Sequence, residues 1–167
     1  MVDVEARLAA LEAQVADLVE RIGVPDAPAP PPEGILWALD GLKQRLPEDS
    51  TGAVLYTGTV RLGEQRYDWQ YGRGVDDLLD GDWAELPAVL AALAHPVRLR
   101  LLREILGSRQ STAELAGIEE LGTTGQLHHH LRQLTAAGWL RSAGRGRYNV
   151  PAERVVPLLA ILCAAAR

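Results

Sequence analysis

Apolar residues open the chain at helical spacing. Val4, Leu8, Leu11, Val15, Leu18 and Ile22 are separated alternately by four and three positions, which is the a/d pattern of a coiled coil. With Leu8, Val15 and Ile22 at a, Glu5 and Glu12 fall at e and Arg7 and Arg21 at g. A parallel pair then sets Arg7 opposite the partner's Glu12, whereas an antiparallel pair juxtaposes glutamates. Leu8, Leu11, Val15 and Leu18 are therefore expected to join two subunits, although an amphipathic helix packed on its own domain would show the same stripe. Residues 23–34, GVPDAPAPPPEG, hold five of the ten prolines and read as a stiff, extended linker.

The period changes after the linker. Ile35, Leu36, Leu39, Leu42 and Leu46 suggest a short amphipathic helix ending at Pro47. Val54, Tyr56, Val60 and Leu62 then alternate, as do Tyr67, Trp69 and Tyr71, with Gly63-Glu64 between the two runs. This predicts a β-hairpin with a two-residue turn. Six of the eight Trp and Tyr residues lie between Trp37 and Trp83, and the chain has no Phe. The aromatics can be core filling, or they can line a site for a small-molecule or protein effector within residues 35–80.

From Asp82 onward the pattern is mostly helical. Asp82 is placed to cap a helix from Trp83 to Ala94, and His95-Pro96 breaks it before a second helix, Val97 to Leu106. Ser111-Thr112-Ala113-Glu114 is a capping box for a short third helix. Thr123-Thr124-Gly125-Gln126 is another, opening a longer helix with Leu127, Leu131 and Leu134 as its buried stripe and Ala137-Gly138 as its end. Trp139 to Ser142 and Arg147 to Val150 read as strands joined by residues 143–146. Such an order of elements predicts a winged helix-turn-helix.

At this point the residues resemble a known family. ALAHPVRLRLLREIL (92–106), STAEL (111–115) and TTGQLHHHLRQLTAAGWL (123–140) are similar to the corresponding segments of ArsR-type bacterial transcriptional regulators. The likeness spans roughly residues 84–162. It implies a homodimer on double-stranded DNA, with 123–137 as the recognition helix, 139–150 as the wing, and terminal helices joining the subunits.

The residues support those roles independently. With the leucine stripe and His130 inward, Gly125, His129 and Arg132 point outward, flanked by Gln126 and His128. Thr123, Thr124, Gln126, His128, His129 and Arg132 are the candidate DNA contacts of the helix. Gln can pair with adenine, Arg with guanine or phosphate, and Gly125 permits close approach of the backbone. Gln126 also has the competing role of completing its capping box. Arg145 and Arg147 flank Gly146 at the wing tip, suited to phosphate or the minor groove. His130 is expected to be inward and hydrogen-bonded. Arg98 falls in the apolar arc of its helix and is expected to need an ion-pair partner.

Charge is divided along the chain. Overall it is −5, but residues 1–94 carry seven basic and seventeen acidic side chains, and residues 95–154 carry nine and five. A polyanion-binding part is thus joined to an acidic one. No metal site is expected: the family's thiolate motif is missing from residues 112–117, and three consecutive helical histidines diverge by about 100° each. Cys163, the lone cysteine, sits in LLAILCAAA and reads as packed core. No nucleophile, base and orienting group stand at recognisable spacing, and no cofactor-binding motif is present, so an enzyme is not expected. The apolar run 155–166 is interrupted by Pro157 and too short for a membrane span, and with no signal-like N-terminus a cytoplasmic protein is expected.

The resulting expectation is a mainly α chain with small β elements: a coiled-coil helix (1–22), a linker (23–34), a helix and hairpin (35–81), a winged helix-turn-helix (82–154) and a C-terminal dimerisation helix (155–167). Val155, Leu158, Leu159 and Leu162 are its expected subunit contacts. The alternative is a protein-interaction adaptor, or inhibitor of a regulator, on the same scaffold.

Overall fold

The computed structural model describes residues 7, 8, 11, 13, 14 and 36–166, apart from the Glu119 side chain. The chain divides into two units, Met1–Lys43 and Gln44–Arg167. In the first, Arg7, Leu8, Leu11, Ala13 and Gln14 are helical, with Leu8 and Leu11 exposed. Val15 and Leu18, the other residues expected at the coiled-coil seam, and the proline-rich linker lie outside the described residues. Helix α1 (Trp37–Lys43) ends sooner than the leucine spacing implies, and Leu46 falls in the bend that follows.

The second unit is mainly helical with two small antiparallel sheets. Strands β1 (Ala53–Leu62) and β2 (Gln65–Gly74) pair from Ala53↔Gly74 to Leu62↔Gln65. Gly63 adopts a φ of +58°, as the first residue of such a tight turn must. The expected inner face is only partly realised. Val60, Leu62 and Tyr67, near the turn, pack on the core, whereas Val54, Trp69 and Tyr71 are exposed.

Beneath the hairpin lies the C-terminal helix, α7 (Ala152–Ala165). Gly58 makes that contact possible: a Cβ there would stand 2.8 Å from Cγ1 of Val156, closer than packed carbons tolerate. Val155 and Leu158, expected at a subunit interface, are 1% and 0% exposed within the chain's own core. They have no surface left for a partner, so of the four predicted contacts Leu159 and Leu162 alone remain accessible. Cys163 is exposed rather than packed.

Between hairpin and C-terminal helix the chain forms α2 (Val75–Leu79), a 3₁₀ turn at Trp83–Glu85, α3 (Leu86–Ala91), α4 (Pro96–Leu106), α5 (Thr112–Ala116), a second 3₁₀ turn at Glu119–Leu121, α6 (Thr124–Ala136), and a short sheet of β3 (Arg141–Ser142) and β4 (Tyr148–Asn149). The single helix expected from Trp83 to Ala94 is split. Asp82 does cap, accepting from the Ala84 N–H at 2.8 Å, but Pro87 has no N–H for the preceding turn and instead sits in the first turn of a new helix. That helix ends where Arg98 donates to the carbonyls of Ala92 (2.6 Å) and Ala91 (2.7 Å). Arg98 thus caps the end of this helix, sharing the Ala91 carbonyl with the Ala94 N–H (3.2 Å); the carboxylate partner expected for it is replaced by backbone.

Leu101, Leu115, Leu131, Leu134 and Leu158 are completely buried and bring α4, α5, α6 and α7 to one core. Helix α6 ends as a Schellman motif. Gly138, at φ +73°, donates to Thr135 O (3.1 Å), and Trp139 N–H donates to Leu134 O (2.9 Å), with Trp139 and Leu134 both buried. Outside the core, Glu104 accepts from Arg100 at 2.7 Å and Arg109 at 3.2 Å, and Arg100 also reaches Glu120 at 3.2 Å. Among the described residues, no helix is long and apolar enough to cross a membrane.

Candidate nucleic-acid interface

Helix α6 is fixed by its N-terminus and its buried stripe. Thr123 is the N-cap, and its hydroxyl accepts from the Gln126 N–H at 3.4 Å while Gln126 Oε1 accepts from the Thr123 N–H at 2.9 Å. The same reciprocal arrangement opens α5, where Glu114 Oε2 accepts from both the hydroxyl and the N–H of Ser111. Those bonds, the hydroxyl's foremost, hold the Glu114 carboxyl below its usual pKa.

Gln126 is consequently committed. Its Oε1 turns back toward Gly122, whose φ is +79°, and a Cβ there would lie only 2.5 Å from that oxygen. Bidentate reading of adenine by Gln126 would require the cap to open. Thr124, His128, His129 and Arg132 are exposed along the same helix, and at Gly125 a Cβ would meet nothing within 4 Å. The expected outward face is present, with one of its members turned to a structural task.

The β3–β4 hairpin supplies the second group. Gly144, Arg145 and Gly146 have φ values of +79°, +49° and +70°, so three consecutive residues are left-handed. Arg145 accepts this cost at the tip of the turn. Thr112 N–H donates to Gly146 O at 2.9 Å, Tyr148 N–H donates to Gln110 O at 2.8 Å, and Arg147 Nη2 donates to Gln110 Oε1 at 3.2 Å. The hairpin is therefore pinned to the segment that leads into α5. Arg145 and Arg147 are both exposed, and Arg132 and Arg145 make no ion pair among the described residues. Arg141 is neutralised by Glu153 at 2.9 Å. No Asp or Glu occurs between Glu120 and Glu153, so α6 and this hairpin are built without a carboxylate of their own.

Gln110 was not legible as part of this surface. Its partner is 37 residues away, and a glutamine in a loop carries no local signal for that contact.

His130 departs from expectation in one respect. It is inward, but its Nδ1 is sealed without a hydrogen-bond partner among the described residues. Its ring lies 4.7 Å from that of His95 and 5.6 Å from that of His129. His95 is itself engaged, since its Nδ1 accepts from Val97 N–H at 3.2 Å and caps α4. Burial, followed by the fields of His95, Arg98 and His129, pushes the His130 pKa down. The folded state then binds this proton less readily than the unfolded chain. Stability from this site is complete above the ordinary histidine pKa of about 6.5 and is lost as pH falls through that value toward the depressed one. Urea denaturation at descending pH should show this loss, and His130→Gln should flatten it; an unchanged slope in the variant would assign the pH dependence elsewhere.

No family model, no curated protein and no solved structure matches the chain.

Proposed function

We propose that this chain is a sequence-specific double-stranded DNA-binding transcriptional regulator that acts as a homodimer, with a winged helix-turn-helix of the kind found in ArsR-type regulators. In this reading α5 and α6 are the helix-turn-helix, α6 enters the major groove, and β3–β4 is the wing on adjacent backbone or minor groove. The observation that carries it is the pairing of one carboxylate-free helix face, bearing His128, His129 and Arg132, with a hairpin tip that holds Arg145 outward through three left-handed residues.

Thr124, exposed in the first turn of α6, offers its hydroxyl to phosphate, while Thr123, with its N–H and hydroxyl engaged by Gln126, would contact DNA only if the cap opened. His129 and Arg132 are the side chains offered to base edges. Arg147 serves as a backbone clamp steadied by Gln110. Subunits join through Leu8 and Leu11 with the rest of the N-terminal repeat, and through Leu159 and Leu162. The exposed Leu79, Trp83, Leu86 and Leu90 supply further apolar surface of the sort that oligomers cover. Effectors are not needed for binding in this reading, and no metal is invoked.

Titration of a mixed-sequence duplex across a range of salt concentrations tests it. Binding that weakens linearly in log–log form as counterions are retained supports the reading. Absence of binding even at low salt favours the adaptor.

A further inference from the structure

A cleft of about 480 Å³ opens between α4 and α7. We infer that it is a binding site for a free aliphatic carboxylic acid of medium chain length, with Arg103 as the anchor of the carboxylate. Leu99, Arg103 and Leu106 follow one another at intervals of four and three and so share one face of α4. Leu159 and Leu162 stand three apart on α7, and Leu62 joins them from beside the β1–β2 turn. These five leucines are each half-buried, so apolar surface is still left to cover. Behind them Leu102 and Leu158 are already sealed in the core and give the cleft a packed floor. The volume lies in the range of small-molecule sites.

Arg103 is the one charged residue on the wall, and among the described residues no carboxylate, hydroxyl, side-chain amide or aromatic ring lines it. Arg103 is exposed and makes no ion pair among the described residues. The acid next to it in sequence, Glu104, is taken by Arg100 and Arg109. Hydrocarbon with a single unmatched cation selects the ligand. A flexible aliphatic chain covers the leucines without needing a polar partner, and the arginine meets a carboxylate at the mouth while its own methylenes stay against the apolar wall. Other classes fit worse. A sugar, a nucleotide or an amino acid would find no partner for its remaining polar groups, and an alkylammonium ion would meet Arg103 as a like charge.

Leu159 and Leu162 are also the α7 contacts of the proposed homodimer, so an acid in the cleft would compete there with the partner subunit. That consequence rests on the DNA-binding reading; the binding itself does not. The test therefore contains no DNA. The ¹⁵N-labelled full chain is titrated with decanoate, with octanoate, and with decylammonium, which carries the opposite charge on the same length of chain.

Saturable shifts of the Leu62, Arg103, Gly107 and Leu162 amides are expected with decanoate, and none along the exposed Trp83, Leu86 and Leu90. Octanoate should bind about tenfold more weakly, for two methylenes fewer. Decylammonium should bind about threefold to fivefold more weakly, the reach of an exposed charge pair, although the chain as a whole is acidic. Arg103→Gln should bring decanoate and decylammonium together, and Arg103→Glu should reverse their order. Both changes fall at an exposed helix position, and an otherwise unaltered spectrum shows that each variant is folded. No saturable shift with decanoate up to about 5 mM, shifts spread over every exposed apolar residue, or a ligand order indifferent to Arg103→Glu overturns the assignment. A cleft already filled by a second copy gives the first of these results and counts against it.

Discussion

Trp139→Ala is expected to lower the unfolding free energy by about 3–5 kcal/mol, the cost of removing a fully buried large aromatic. Trp139 is 1% exposed and joins three parts of the second unit. It follows α6 as the anchor of the Schellman motif, its Nε1 donates to the Val89 carbonyl of α3 at 2.9 Å, and the Arg154 guanidinium of α7 lies 5.0 Å from its ring centre. Trp139→Phe separates the terms. It keeps most of the packing but leaves the Val89 carbonyl without its donor, at a cost of about 1–3 kcal/mol. Chemical denaturation followed by circular dichroism measures both. A loss below about 1 kcal/mol for the alanine variant would contradict a core organised on this side chain.

Arg132→Ala and Arg145→Ala carry the largest expected functional effects. Neither arginine is spent on an ion pair among the described residues, and neither is buried, so their loss should leave thermal stability nearly unchanged. On DNA the two should differ. An arginine reading a base edge costs about 1–3 kcal/mol when removed and relaxes preference at one position, whereas one that grips phosphate weakens binding to all sequences and lowers the salt slope by about one. The expected assignment is Arg132 to the first behaviour and Arg145 to the second. Fluorescence anisotropy on specific and scrambled duplexes, repeated across salt, distinguishes them. Unchanged affinity in the double variant would remove the surface from consideration.

Legibility followed the range of the interactions. The two capping boxes lie within four residues each, and Ser111–Glu114 and Thr123–Gln126 form as their spelling implies. The Leu127, Leu131, Leu134 stripe needed nothing beyond helical periodicity, and the Gly63-Glu64 turn nothing beyond a glycine with a positive φ. What eluded the sequence depended on distant partners. Arg98 was expected to meet a carboxylate, but it instead takes the Ala91 and Ala92 carbonyls at the end of α3. Val155 and Leu158 were apolar at an expected interface, yet apolarity does not distinguish a partner's surface from the chain's own core, and the hairpin and α4 claimed them. His130 was correctly expected to face inward, but not to be left with an unbonded nitrogen beside two other imidazoles. Gln126 shows the same conflict in the candidate site, where one residue type served both a local cap and a base-reading role, and the cap is what formed.

The pinning of the β3–β4 hairpin through Gln110 and Thr112 has a mechanical meaning for the proposed interface. A side chain at Gly146 is disfavoured by its φ of +70° and by a Cβ position 2.9 Å from the Thr112 hydroxyl oxygen, which would have to move. The tip is therefore held in place on the segment leading into α5, which in the proposed DNA-binding mode would limit the ordering cost of binding.

The most direct measurement is selection of bound sequences from a random duplex pool by the purified full chain at near-physiological salt. Two copies of α6 related by two-fold symmetry predict enrichment of an inverted repeat with half-sites about one helical turn apart. Retention at background with no enriched sequence would contradict a sequence-specific regulator.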